Sequence, residues 1–176
     1  MEITYFVHST TLDNETGIVT GWDDSKLSLK GKKQAEELRS ILDSRFDIVL
    51  SSDLGRAVET ASIAFSPLLL DTDWRLREVN YGTLNKKPSG IVKQNLAQYV
   101  ASPFPEGESY EDVAKRVSHF LDEIKLKHEG KRVALVAHQA PQLALDVLLY
   151  KKTWEQAFQD DWRNTGSWRP GWVHKY

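Results

Sequence analysis

Val133-Ala134-Leu135-Val136-Ala137 is an unbroken apolar run that ends on His138 and Gln139. A run this short and this uniformly apolar reads as a strand buried on both faces, the pattern of a parallel sheet. Two more stretches share it. Ile3 to Val7 is followed by His8, and Phe46 to Leu50 is followed by Ser51, Ser52 and Asp53.

Helical patterns separate these strands. Ala35, Leu38, Ile41 and Leu42 keep the three-and-four spacing after Leu29-Lys30-Gly31. Ala57, Ala61, Ile63 and Ala64 mark a second helix, capped by Ser52 or Asp53 and stopped by Pro67. Tyr110, Val113, Val117, Phe120, Leu121 and Ile124 make the clearest amphipathic stripe, with Ser109 and Asp112 as a capping box and Gly130 as its stop. Leu143 to Tyr150 reads as a further helix, Lys86 to Tyr99 as a weaker one, and Trp172 to Tyr176 as a last edge strand. Strands alternating with helices predict an α/β three-layer sandwich with a mostly parallel central sheet, formed by a single domain over 1–176.

In such sheets the ligand crevice lies beyond the carboxyl ends of the strands. There the sequence places His8, then Ser51 to Asp53 with Arg56 one turn later, then His138 and Gln139. Two histidines and an arginine beside helix N-termini favour an anion. A neutral imidazole is a competent nucleophile toward phosphorus, cations stabilise a transferring phosphoryl group, and a nearby acid protonates the leaving alkoxide.

Composition narrows the field. The chain has 176 residues and a formal net charge of −2, without the overall positive field of a dedicated nucleic-acid binder. It has no cysteine, which excludes disulfides, thiolate metal sites and cysteine nucleophiles. No histidine pair has the spacing of a known metal motif, and there is no P-loop or Gly-x-Gly-x-x-Gly, so neither a metal nor a cofactor is expected. No stretch reaches the roughly 18 apolar residues that span a bilayer, and the N-terminus lacks a signal peptide's basic region, which makes a cytoplasmic protein the simplest reading. Trp154, Trp162, Trp168 and Trp172 crowd the last quarter, so that end is expected to wrap onto the domain, with Trp168 to Trp172 a candidate wall of the cleft.

These residues, in this order, resemble the histidine phosphatase superfamily, the phosphoglycerate-mutase-like fold. Gly21-Trp22 with Leu27-Ser28 and Gly31 to Ala35, Ser51 to Ala57 with Thr60-Ala61, Leu76-Arg77-Glu78 with Tyr81-Gly82, Phe104 to Ser109, and Val133 to His138 all match segments of that family. The resemblance implies that His8 is the nucleophile that forms phosphohistidine. It implies that Arg56 and His138 bind the phosphoryl group and that Glu78 is general acid and then base. Asn14 falls where the family often adds a phosphate hydrogen bond, and Thr20 and Gly21 where substrate contacts are common.

The chain departs from the family at the nucleophile. The Arg-His-Gly-Glu-Thr motif here reads Val7-His8-Ser9-Thr10-Thr11, and the glycine after the second histidine is Gln139. A hydrogen bond to a charged group is worth roughly 1.5–3 kcal/mol, so losing the motif arginine is expected to slow transfer by about 10- to 150-fold. Ser9, Thr10, Thr11 and Gln139 offer neutral donors at the same rim, and Lys86, Lys87 or Arg163 are candidate replacement cations. The expected activity is metal-independent hydrolysis of a small phosphomonoester, by a monomer or homodimer acting without nucleic acid or membrane. A family member that only binds a phosphorylated ligand or protein partner, and a phosphomutase, are the alternatives.

Overall fold

A computed structural model of the chain describes residues 1–42, 46–66, 70–165 and 171–175. Five strands form one sheet: β1 (Glu2–Val7), β2 (Ile48–Ser51), β3 (Leu70–Thr72), β4 (Arg132–Ala137) and β5 (Trp172–Lys175), in the order β3-β2-β4-β1-β5. The first four are mutually parallel, and β5 pairs antiparallel with β1. In register, Val7 faces Ala137 and Ser51 faces Val136, so His8, Ser52 and His138 leave the sheet at the same edge.

Side chains of β4 alternate between two cores. Val133, Leu135 and Ala137 enter one, and Ala134 and Val136 the other. The second core is closed by Leu38 of α2 (Leu29–Ile41, following the short α1, Leu12–Glu15) and by Ala57, Ala61 and Ala64 of α3 (Gly55–Ala64). The larger core, beyond the short α4 (Ser89–Val92), is closed by α5 (Tyr110–Lys127) and α6 (Gln139–Tyr150), with Trp154 and Phe158 of α7 (Trp154–Gln159) at its margin. Helices thus cover both faces, giving three layers, and the central strand β4 is apolar and buried from Val133 to Ala137 for that reason.

Several local expectations hold and several need correction. The Ser109–Asp112 capping box starts α5 as expected. The cap of α3 is Leu54, with no side-chain cap bond. Asp53 is drawn away by Arg77 at 2.6 Å, and Ser52 accepts the Leu54 N–H at 3.3 Å while its hydroxyl meets His138. Helix α6 starts four residues earlier than its apolar pattern, because Pro141 sits in the first turn, where no intrahelical N–H is needed. The stretch 86–99 is not one helix. Lys86 is left-handed at φ 60°, and Pro88 and Gly90 confine regular structure to α4 and a 3-10 turn at Leu96–Tyr99. The apolar pattern also missed β3, α1 and α7, each six residues or fewer. The chain end does pack back: Trp154 and Trp172 lie against the larger core. The helix stop at Pro67, most of the Trp168 to Trp172 stretch and the last strand residue, Tyr176, lie outside the described residues.

Candidate active site

His8 emerges from β1 with its backbone N–H bound to the Ala137 carbonyl. Its Nδ1 lies 2.8 Å from the Ser9 carbonyl oxygen. A carbonyl only accepts, so Nδ1 carries the proton and Nε2 keeps its lone pair. Burial, with Arg56 next and then Arg163 and Lys93, lowers the His8 pKa to about 3. The ring is therefore neutral near pH 7, the form a nucleophile needs. Because this value lies below the ordinary 6.5, the stability it contributes is complete above about pH 6.5 and is lost as pH falls toward 3. In proton NMR, the His8 ring resonances are expected to stay flat between about pH 8 and pH 5; a midpoint near the ordinary value would contradict this environment.

His138 stands beside it, ring centroids 5.0 Å apart. Its backbone is pinned at both ends by Tyr5, whose hydroxyl donates to its carbonyl at 2.7 Å and accepts its N–H at 3.1 Å. Its Nε2 is 2.8 Å from the Ser52 hydroxyl, and its buried Nδ1 has no partner among the described residues. Ser52 Oγ accepts from Leu54 and still has its proton and a second lone pair, so it can pair with His138 Nε2 in either tautomer. Burial foremost, then Arg56 and His8, holds this histidine neutral too.

Arg56 is almost fully buried in the first turn of α3. Its Nη2 donates to the Gly21 carbonyl at 2.7 Å and its Nη1 to Asp23 O at 3.0 Å. Gly21 makes this turn at φ 57°, where a Cβ would stand 2.1 Å from Asn85 Oδ1, so only glycine fits. Burial lowers the Arg56 pKa from its high normal value, with Glu78 foremost among the groups opposing the shift.

Glu78 sits at the start of α6. Its Oε1 accepts N–H bonds from Val79 (3.0 Å) and Ala140 (2.8 Å), and its Oε2 accepts one from Gln139 at 3.2 Å. Its own carbonyl is gripped by Trp22 Nε1 at 2.7 Å and Arg116 Nη2 at 3.0 Å. The Gly21-Trp22 segment therefore serves both Arg56, by a carbonyl, and Glu78, by an indole.

These groups border two adjoining open hollows of about 560 and 700 Å³. Both are lined by His8, Asn14, Glu78 and Lys93. Arg56, Thr20, Gly21 and Tyr81 line the first, and Val7, Thr10, Gln139, Trp162 and Arg163 line the second. Of the expected residues, His8, Arg56, Glu78, Asn14, Thr20, Gly21 and Gln139 come together here. His138 backs onto His8 from below.

Three expectations are redirected. Ser9 lines neither hollow: its N–H is taken by Thr60 Oγ1 at 3.0 Å and its carbonyl by His8, so it orients the His8 ring. Thr20 donates its hydroxyl to Asp13, and Asn14 lends its carbonyl to the α1 capping box. Lys86 is held by Asp13 at 2.6 Å and the Asp24 carbonyl at 2.7 Å, outside both hollows, whereas Arg163 lines the second. Lys93 was not among the sequence candidates; it lies in a stretch with no motif and no clean periodicity. Among the described residues no group of three histidine, aspartate or glutamate side chains gathers to hold a metal ion.

Known proteins share this arrangement of the chain. A protein of Hydrogenobacter thermophilus named "Putative phosphoserine phosphatase 2" is 35% identical over 154 residues, 81% of this chain and 75% of its own length. A "Probable phosphoglycerate mutase" of Yersinia pestis (strain Pestoides F) is 32% identical over 142 residues, 74% of this chain and 66% of its own length, so the chain spans about two thirds of that relative. The crystal structure of the alpha-ribazole phosphatase from Shigella flexneri superposes with a TM-score of 0.80 over 90% of this chain and 84% of its own, at 24% identity, a likeness of fold. The histidine phosphatase superfamily (branch 1) model matches residues 5–169, and the chain belongs to that family.

Proposed function

We propose that the protein is a phosphatase that hydrolyses a small phosphomonoester through a phosphohistidine on His8. The observation that carries this reading is the tautomer of His8. Its Nδ1 is tied to a carbonyl, its Nε2 is bare, and it stands within a hollow that also holds Arg56 and Glu78. Attack by Nε2 on phosphorus breaks the bond to the leaving oxygen. Glu78, as general acid, gives that oxygen its proton. Arg56 and His138, whose Nδ1 has no partner among the described residues and donates in its Nδ1–H tautomer, steady the equatorial oxygens. Water, deprotonated by Glu78, then displaces the phosphoryl group from His8 and releases inorganic phosphate. The match to phosphatase-named relatives supports a hydrolase. No step calls for a metal, since cationic side chains supply the charge.

The test is phosphate release from a panel of small phosphomonoesters in the presence of chelator. Release that survives chelation is the expected result. An isomeric phosphate ester in place of inorganic phosphate would make the protein a mutase. Absence of either product across the panel would reduce it to a binding module.

A further inference from the structure

Arg56 approaches the nucleophile from the first hollow only. In the second hollow, where the family motif has an arginine beside His8, Val7 brings no charge. A dianionic phosphoryl group held from one side would drift, and its developing charge would go half compensated. The second hollow, in front of Val7, is lined by two cations, Lys93 and Arg163, and by one carboxylate, Glu78.

The two cations are tied together by the chain's other departure from the family. Gln139 stands where the family has glycine, and its amide bridges them. Its Oε1 accepts from Lys93 Nζ at 2.6 Å, and its Nε2 donates to Asp161. Asp161 in turn takes Arg163 Nη1 at 2.7 Å, and Gln142 Oε1 takes the same nitrogen at 3.1 Å. The guanidinium lies 4.6 Å over the Trp162 ring. Its Nη2 is buried and has no hydrogen-bond partner among the described residues. A buried, unspent donor of this kind is costly unless a ligand takes it up.

We infer that Arg163 and Lys93, joined through Gln139 and Asp161 across the hollow in front of Val7, are a relocated cationic clamp for the phosphoryl group over His8. The inference rests on the proposed phosphatase reading for its place in catalysis, but it concerns phosphate binding in its own right. Val7 and Gln139, the two departures from the family motif, line the same hollow, and the Gln139 amide holds Lys93 directly and Arg163 through Asp161. Arg163 and Lys93 reach into the site from segments far apart in sequence, so the clamp also ties the 89–92 helix to the C-terminal region when substrate is bound.

The experiment titrates the intact protein with inorganic phosphate, read by tryptophan emission, in the wild type, Arg163→Gln and Lys93→Gln, each alone and with Val7→Arg. Rates on p-nitrophenyl phosphate are measured in parallel. Each single variant is expected to bind phosphate about 10- to 150-fold more weakly, the worth of one hydrogen bond to a charged group. Val7→Arg is expected to recover most of that loss in Arg163→Gln and to add little to the wild type, since the two cations would serve one group. Lys93 is exposed, so its variant reads the clamp even where loss of the Asp161 partner unsettles Arg163→Gln. Phosphate binding within threefold of wild type in both single variants overturns the clamp. A wild type that binds phosphate through these residues but turns over no ester keeps the clamp and removes the phosphatase reading. A wild type that does not bind phosphate removes both.

Discussion

Replacing His8 with alanine is expected to lower phosphate release by at least about 10³-fold while leaving inorganic phosphate binding within a few-fold of wild type. Enzymes commonly accelerate their reactions by 10⁶-fold or more, and a site stripped of its nucleophile keeps only what binding and electrostatics provide. In this site those remaining parts are separately anchored. Arg56 is held by the carbonyls of Gly21 and Asp23, and His138 by Tyr5 and Ser52, with no bond of either running through the His8 ring. The variant should therefore separate chemistry from binding. The fold should tolerate it, since among the described residues the ring's one hydrogen bond is to the adjacent Ser9 carbonyl. Stability measured below about pH 5 should fall less steeply in the variant, because the buried neutral imidazole no longer resists protonation. Parallel loss of phosphate affinity and turnover would instead make His8 a binding residue, and the spare lone pair on Nε2 would need another purpose.

The sheet and the three rim segments were legible because each is a local pattern. An apolar run buried on both faces and followed by a polar residue needs no tertiary information, and β1, β2 and β4 all have that form. The amphipathic stripe of α5 is legible for the same reason. The elements that escaped are those whose stability is borrowed. Strand β3 is three residues, one half-buried and two exposed, kept in place by pairing with β2. The 86–99 segment reads as a weak helix without clean periodicity, and the left-handed Lys86 and Pro88 at the N-cap leave it only α4 and a 3-10 turn. At the site, His8, Arg56, Glu78 and His138 were legible from motif order. Lys93 and the inward reach of Arg163 were not, because a lone cation in an irregular segment has no signature until the fold decides which way it points. Ser9 shows the converse. Its residue type suggests a donor at the rim, but Ser9 lines neither hollow and its backbone N–H goes to Thr60, a partner 51 positions away.

The same division between local signal and distant support governs Glu78, and Arg116 is where it can be tested. Arg116 lies in α5, nearly sealed from solvent, with its side chain 6% exposed. Its Nε and Nη2 form a two-point pair with Glu108 at 2.9 and 3.1 Å, Nη1 donates to the Arg75 carbonyl at 2.6 Å, and Nη2 also reaches the Glu78 carbonyl at 3.0 Å. Glu108 meanwhile accepts the Asn80 N–H at 3.0 Å. One guanidinium thus fastens the 75–80 segment at both ends to the helix behind it. Arg116→Met fills the space but strips the Glu108 carboxylate of its cation and the Arg75 carbonyl of this donor, and leaves the Glu78 carbonyl to Trp22. Breaking a buried pair by removing one partner costs about 3–5 kcal/mol, which for a chain of this size lowers Tm by about 6–20 °C. The turnover effect should fall on kcat more than on KM, because Arg56, Lys93 and Arg163 still meet the phosphate while the proton donor loses its alignment. The double variant Arg116→Met/Glu108→Gln should cost less than the two single changes added together, since the stranded charge is gone. Arg116→Lys should fall between them, as an ammonium cannot span two carboxylate oxygens and two carbonyls in one plane. Thermal unfolding and steady-state kinetics on the wild type and the four variants, Glu108→Gln alone included, check this. A loss in Arg116→Met below about 1 kcal/mol with kcat unchanged would mean that Trp22, bonded to the same Glu78 carbonyl, holds the catalytic carboxylate in place without help from α5.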